Sequence, residues 1–314
     1  MKKFLVSGGA GFLGSNLCES LLNQGCYVYC IDNLLTGSID NLINFSGNPN
    51  FQFIEHDIVE QLDLEVDYVC NLACPASPVN YQKNALHTLD VCFLGTRNLL
   101  NLAKKNNAIF FHTSTSEVYG DPLEHPQKES YRGNVNPIGL RACYDEGKRV
   151  AETLIFDYIR MFDIDARVIR IFNTYGPNMQ ANDGRVVSNF INQALNEDKL
   201  TIYGDGSQTR SFCFVDDLVD GFNSMIFSKH TPEVPVNMGN PFEFTILDLA
   251  ENIIKLIGDR ELIFKELPPD DPEKRKPDIS LAKKLYGWQP KIQLAEGLTK
   301  TIEYFKKNKE RLHV

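Results

Sequence analysis

Apolar residues along this chain fall into short unbroken runs separated by longer stretches of helical period. The short runs are Lys3–Ser7, Tyr27–Ile31, Phe51–Ile54, Tyr68–Ala73, Ala108–Thr113 and Ala166–Phe172. Continuous apolar runs of that length suit strands covered on both faces. Between several of them lie 3.6-period patterns, at Leu13–Leu22, Thr88–Ala103 and Asp145–Tyr158, which predict helices. The alternation predicts an α/β fold with a doubly wound parallel sheet. From about Gly176 the pattern changes to loops, short strands and separate helices, with turn clusters at Tyr203–Ser207 and Gly239–Pro241. Two units are therefore expected: a first domain over residues 1–175 and a smaller C-terminal lobe over 176–314. The boundary is soft, because chain can cross back between them. No internal repeat or low-complexity tract is present.

The segment joining the first strand to the first helix reads Ser7-Gly8-Gly9-Ala10-Gly11-Phe12-Leu13-Gly14. Glycines at this junction allow a tight turn and let a pyrophosphate approach backbone N–H groups at a helix N-terminus. A simple strand–helix turn could use the same three glycines. Asp32, at the end of the second strand, adds a carboxylate where ribose hydroxyls of a bound dinucleotide would lie. Strand, glycines and acid in register predict a Rossmann-type dinucleotide site. A carboxylate there repels a 2′-phosphate, so NAD is expected over NADP. Asp57, at the end of the third strand and followed by Ile58, is placed to meet the adenine edge, although spacing alone also allows an ordinary loop acid.

Tyr144 and Lys148 lie four apart on a predicted helix and so share one face. An ammonium on that face is expected to lower the tyrosine pKa, so that phenolate can accept a hydroxyl proton as hydride leaves for NAD. Tyr144 alone among the 12 tyrosines has Lys at that spacing. A separate polar strand end, Thr113-Ser114-Thr115-Ser116-Glu117, offers hydroxyls to a reacting oxygen.

Composition narrows the partners. A net charge of −9 argues against a nucleic-acid binder. No apolar run approaches the ~18 residues of a membrane span, and the first strand begins too early for a signal peptide. The eight cysteines lack Cys-x-x-Cys spacing, against zinc sites and a disulfide framework, and no metal is expected. Cys18, Cys26, Cys30, Cys70 and Cys92 fall in apolar stretches and read as buried reduced thiols, in keeping with a cytoplasmic protein.

Longer runs carry a specific resemblance. They are Ala76-Ser77-Pro78, Thr115–Pro122, Asn136–Gly139, Arg141–Glu152, Arg170–Pro177, Asp183–Phe190, Tyr203–Phe212 and Lys274–Ile279. With them the chain, from Lys3 to about Tyr304, resembles the UDP-glucuronate decarboxylases (UDP-xylose synthases) of the extended short-chain dehydrogenase/reductase family. The resemblance implies NAD-dependent decarboxylation of UDP-glucuronate through a 4-keto intermediate, with NAD recycled, in a cytoplasmic homodimer joined around Asp90 and Tyr144. The C-terminal lobe would bind the nucleotide sugar. It implies that Thr115 orients the 4-hydroxyl, that Tyr144 is the base, and that Lys148 holds the nicotinamide ribose. Glu117 and Ser116 would sit beside the sugar ring. Asn173, Arg185, Tyr203 and Arg210 would contact UDP. Arg210 also suits a diphosphate on its own chemistry, though a surface arginine reads the same way. Around NAD the resemblance gathers Gly8, Gly11, Phe12, Leu13, Gly14, Asp32, Asn33, Thr36, Gly37, Asp57, Ile58, Leu72, Ala73, Thr113, Tyr144 and Lys148.

Arg275 lies in Asp271-Pro272-Glu273-Lys274-Arg275-Lys276-Pro277-Asp278, by composition a solvated loop. The resemblance places an arginine of this setting near the sugar, paired with the substrate carboxylate and then with the enolate. Two departures stand out. Ser116 replaces the aspartic acid of the related 4,6-dehydratases, against dehydration. Asp90 stands where a lysine is expected, which puts one substrate-side contact in question. A nucleotide-sugar 4-epimerase or 4,6-dehydratase is the alternative reading, and carbon dioxide release separates them.

Overall fold

The structure is a computed structural model and describes residues 1–181, 183–266 and 274–312. The first half alternates strand and helix. β1 (Lys3–Ser7) leads through the glycine turn to α1 (Phe12–Asn23), and β2 (Tyr27–Asp32), β3 (Phe51–Glu55) and β4 (Tyr68–Asn71) follow. Then come the short α2 (Pro78–Tyr81), α3 (Ala85–Asp90), a π-helical turn at Val91–Gly95 and α4 (Thr96–Asn106). β5 (Ile109–Thr115), α5 (Ala142–Phe162) and β6 (Ala166–Ile171) complete the alternating part. The predicted helix over Thr88–Ala103 is thus one helical run broken by a π turn. Asn84 starts it by accepting a hydrogen bond from the backbone N–H of His87.

The remaining chain carries β7 (Thr174–Tyr175), α6 (Val186–Leu195), β8 (Leu200–Tyr203), β9 (Thr209–Ser211), β10 (Cys213–Phe214) and α7 (Val215–Ile226). β11 (Val236–Met238), β12 (Glu243–Thr245), α8 (Ile246–Ile257), β13 (Leu262–Lys265), β14 (Lys274–Arg275), α9 (Ser280–Tyr286) and α10 (Leu294–Leu312) end it.

Seven strands form one parallel sheet in the order β11-β6-β5-β4-β1-β2-β3. Strand order reverses between β1 and β4, and their carboxyl ends open a crevice of the kind in which α/β sheets bind ligands. Apolar packing lies on both sides of the sheet. One cluster joins Leu17, Leu21, Phe111, Phe222 and Trp288, and the other joins Leu5, Leu99, Leu100, Phe110 and Ile155. A third cluster, with Phe190, Ile191, Ile202, Phe214 and Leu298, is the core of the later segment. Chain does cross back: α7 and β11 lie after residue 175, yet β11 extends the main sheet and α7 packs on its face.

A small sheet, β12-β9-β14, sets Arg210 beside Arg275 through the parallel pairing of β9 with β14. All eight cysteines are free, and all but Cys74 are buried. Among the described residues, no helix is long and apolar enough to cross a membrane.

Candidate active site

A cavity of about 730 Å³ opens at the crevice, a volume suited to a small-molecule ligand. Thr113, Thr115, Ser116, Glu117, Tyr144, Lys148, Asn173, Arg185, Tyr203, Arg210 and Arg275 all line it. The expected catalytic and substrate residues, drawn from positions 113 to 275, are therefore gathered on one space.

α5 presents Tyr144 and Lys148 one turn apart, as the spacing predicted. The Lys148 ammonium donates to the Thr113 carbonyl at 2.9 Å and lies 6.0 Å from the Tyr144 ring centroid. Tyr144 stacks on Tyr81, with centroids 5.0 Å apart and planes 5° from parallel. Its hydroxyl is hydrogen-bonded to Thr115. Its pKa differs from expectation. Burial pushes the Tyr144 hydroxyl well above its ordinary value, with the Cys74 thiol and the Glu117 carboxylate adding to the rise, against the Thr115 hydrogen bond. Enclosure outweighs the Lys148 effect anticipated from spacing alone.

Glu117 sits in a short 3-10 turn capped by Thr115, whose hydroxyl accepts the Glu117 backbone N–H at 3.2 Å. Arg141 Nη2 donates to one carboxylate oxygen at 2.6 Å, and Arg275 Nη1 donates to the other. Burial alone would raise the Glu117 pKa, but the two guanidiniums prevail and hold it at about 2. Glu117 is therefore a permanent carboxylate near neutral pH. Next to Tyr144, burial and the Glu117 charge push Asp145 up to about 7, and its Oδ1 is buried without a partner.

Arg275 is 3% exposed, so the solvated-loop reading fails for this residue, while Asp271, Pro272 and Glu273 lie outside the described residues. β14 holds Arg275 against β9, where its side chain reaches Glu117 and donates from Nη2 to the Gly120 carbonyl at 3.2 Å. Its Nε is buried without a partner. Two of its five N–H groups are thus engaged by the protein, one on each Nη, and Nε keeps a donor free for a ligand. Asp90 is exposed and outside the cavity lining, so its departure from lysine touches no contact there.

The adjoining groove is lined by Gly8, Gly11, Phe12, Leu13, Gly14, Asp32, Asn33, Thr36, Asp57, Ile58, Leu72 and Ala73. Leu13, Leu72, Cys74, Ala76 and Arg185 border both spaces. Glycine is required at two positions here. A Cβ on Gly14 would lie 2.0 Å from the Gly8 carbonyl oxygen, and one on Gly8, whose φ is +70°, would lie 2.8 Å from the Ala73 nitrogen. The N-terminus of α1 has neither a side-chain cap nor an acid in its first turn, which leaves its N–H groups for an anion. Asp32 accepts from the N–H groups of Ala10 and Leu34, both at 2.9 Å. Burial raises its pKa against those bonds. These residues fit a dinucleotide.

Three expected contacts have partners within the chain. Asp57 accepts from Asn33 Nδ2 at 2.8 Å and from the Val59 N–H at 3.0 Å, with His87 Nε2 at 3.3 Å. Gly37 backs Asp32, since a Cβ there would lie 2.8 Å from its carboxylate, and does not line the groove. Arg185 pairs with Asp183 and lies 5.6 Å from the Phe12 ring centroid.

The family model described as GDP-mannose 4,6 dehydratase matches residues 5–301. The chain is 54% identical to UDP-glucuronic acid decarboxylase 6 of Arabidopsis thaliana over 97% of its length and 89% of that protein. It is 52% identical to UDP-glucuronic acid decarboxylase 1 of Xenopus tropicalis, over 98% of this chain and 73% of that one. The chain belongs to the UDP-glucuronic acid decarboxylase family. Among solved structures it is similar to the UDP-glucuronic acid 4-epimerase of Bacillus cereus in complex with UDP-glucuronic acid and NAD. That likeness has a TM-score of 0.87 at 30% identity and covers 98% of this chain and 99% of that one.

Two decarboxylase site residues escaped the sequence reading. Arg141 lies three before Tyr144, on the same helical face one turn earlier, and that spacing was a usable signal. Tyr81 had none, because its stacking on Tyr144 joins α2 to α5 across 63 residues of chain.

Proposed function

We propose that the chain catalyses NAD-dependent decarboxylation of UDP-glucuronate to UDP-xylose, with Thr115, Tyr144, Lys148 and Arg275 acting on the sugar. The observation that carries the residue roles is that Tyr144, Thr115 and Lys148 line the same cavity as a buried arginine with an unpartnered Nε. NAD, when bound, supplies the hydride acceptor for carbon 4 of the sugar and returns the hydride at the end of the cycle. Gly8, Gly11, Gly14 and the first turn of α1 would hold its pyrophosphate, and Asp32 its adenosine ribose.

Burial by itself keeps the Tyr144 hydroxyl protonated. Tyr144 would therefore accept the proton of the 4-hydroxyl once the positive charges of Lys148 and of bound NAD offset that burial, while Thr115 orients the hydroxyl. Lys148, fixed by the Thr113 carbonyl, sets a positive charge near the phenolate. The resulting ketone is β to the carboxylate on carbon 5. Carbon dioxide leaves as the bond electrons pass into an enolate, and positioned donors stabilise that oxyanion. Arg275 Nε is the donor we assign to the carboxyl end of the sugar. Carbon 5 then takes up a proton, and Tyr144 gives its own back to the 4-oxygen as the ketone is reduced. Ser116, Asn173, Tyr203 and Arg210 are assigned to the substrate, with Arg185 at the join between sugar nucleotide and cofactor.

The later segment, residues 176–314 less α7 and β11, is read as the nucleotide-sugar lobe. The partner is a second copy of the chain. Leu86, Leu89, Phe93 and Val150 leave an exposed apolar strip along α3, the π turn and α5, and unpaired buried cysteines favour the cytoplasm as its setting. Phe93→Glu is expected to yield monomers by light scattering, and a monomeric parent protein would remove this reading.

Mass spectrometry of products from UDP-glucuronate tests the activity. A loss of 44 Da with release of carbon dioxide is expected. A product of unchanged mass, the 4-epimer, would replace the decarboxylase reading by the epimerase one.

A further inference from the structure

Behind the reacting groups lies a pair of thiols that the sugar chemistry does not use. Cys74 follows β4, in the loop pressed against the glycine turn, and borders both the sugar cavity and the dinucleotide groove. Cys92 is buried in the π-helical turn, with its Sγ 3.6 Å from that of Cys74. Cys143 is close by and donates to the Tyr81 carbonyl at 3.7 Å.

The two sulfurs are unequal. Cys74 is half-buried, whereas the other seven cysteines are buried, so it is the thiol that a small reagent in the cavity meets. The Cys92 hydrogen bond holds its pKa below the ordinary thiol value against burial, with help from the Lys148 ammonium. Cys92 is pushed the other way, by that same bond and by burial. A cavity-lining, thiolate-prone cysteine in contact with a buried second one is the arrangement of an attacking and a resolving cysteine.

We propose that Cys74 is a peroxide-reactive modification site and that Cys92 resolves it as a disulfide, reversibly disabling the active site. The Cys74 thiolate attacks one peroxide oxygen, the O–O bond breaks, and hydroxide departs, leaving sulfenic acid. The Cys92 sulfur then attacks the Cys74 sulfur. An S–S bond forms, the S–O bond breaks, and the hydroxyl leaves with the Cys92 proton as water. Two thiols lose two electrons, and one peroxide becomes two waters.

Closing the sulfurs from 3.6 Å to the ~2.05 Å of a disulfide moves them together by about 1.5 Å. Neither side can absorb this freely. The backbone at Ala73 already touches the Gly8 turn, and Cys92 Sγ packs against Gly147, where a Cβ would lie 3.0 Å away. The movement therefore reaches the turn that receives the dinucleotide and the helical turn that carries Tyr144 and Lys148. Displacements of about 1 Å in positioning groups cost on the order of 100-fold in rate.

The activity readout rests on the decarboxylase reading, whereas the covalent readout does not, so their failures are distinguishable. The NAD-bound enzyme is treated with hydrogen peroxide, alkylated, cleaved with trypsin and mapped by mass spectrometry. Trypsin leaves Cys18, Cys26, Cys30, Cys70 and Cys74 on one peptide, residues 4–83, and Cys92 on another. Added cleavage after Glu65 by Glu-C separates Cys70 and Cys74 from the first three, and fragmentation locates the link. A Cys74–Cys92 linked peptide is expected, with at least a tenfold loss of carbon dioxide release, both reversed by dithiothreitol. Cys92→Ala should keep its starting activity, form no cross-link and accumulate a sulfenic acid on Cys74 that dimedone traps. Should that variant fail to fold, mapping of the parent enzyme decides alone. No linked peptide, a bond from Cys74 to Cys70 or Cys143, or full activity in the cross-linked enzyme overturns the proposal.

Discussion

Replacing Arg275 with alanine tests how the site is built as well as what it does. The two arginines hold Glu117 at about 2, against an ordinary 4.5, despite burial that acts in the opposite direction. A depression of that size corresponds to about 3 kcal/mol of folding stability near neutral pH, by the ~1.36 kcal/mol carried per pKa unit. Glu117 is only 16% exposed, so solvent screens the pair little. Arg275→Ala leaves this carboxylate with Arg141 alone, and breaking a buried pair from one side commonly costs about 3–5 kcal/mol. We expect a urea unfolding midpoint well below that of the parent enzyme at pH 7, together with loss of carbon dioxide release. Adding Glu117→Gln removes the stranded charge, so the double variant should be more stable than Arg275→Ala while still inactive. The pH dependence follows. Glu117 has a depressed folded-state value, so its contribution is complete above about 4.5 and is lost as pH falls toward about 2. Arg275→Ala should flatten that acid limb. A parent-like midpoint in the alanine variant, with no coupling to Glu117→Gln, would refute the ion-pair argument.

Tyr144→Phe keeps the ring stacked on Tyr81 and should bind NAD and UDP normally, yet lose about 10²–10⁴-fold in turnover. Near-parental turnover would remove Tyr144 from its role. Asp32→Ala should raise the use of NADP relative to NAD in a cofactor-exchange assay, and an unchanged ratio would show that Asp32 does not select the cofactor. Burial, then the Glu117 charge, raises Asp145 to about 7, so its proton is retained on folding and stability falls as pH rises from about 4 through 7. Asp145→Asn should reduce the difference in urea midpoint between pH 5 and pH 8, and an unaltered difference would contradict the assignment.

Much of the fold was written in local pattern. Lys3–Ser7 is a strand as read, and strand–glycine–helix spacing located the dinucleotide groove because every element of that signal lies within a few residues of the next. Tyr144 and Lys148 were legible for the same reason, since helical period alone brings them to one face. The π turn at Val91–Gly95 was not, because apolar residues continue through Val91, Cys92, Phe93 and Leu94 without a break in pattern. The Tyr144 pKa was misjudged in direction because enclosure is a property of the assembled cavity and leaves no mark on spacing. The environment of Arg275 was hidden too. Lysines and prolines around it have the composition of a loop, while its partners Glu117 and Gly120 lie 158 and 155 residues away.

That separation has a consequence for biosynthesis. At about 5–20 residues per second, Glu117 is made roughly 8–30 s before Arg275. By then every strand of the seven-stranded sheet, including β11, has been synthesised. A nascent chain can therefore hold a complete sheet and a complete glycine turn while the Glu117 carboxylate is still without its second arginine. The site is finished late in synthesis, and a chain stopped before residue 274 would carry the dinucleotide groove beside a sugar site that lacks Arg275.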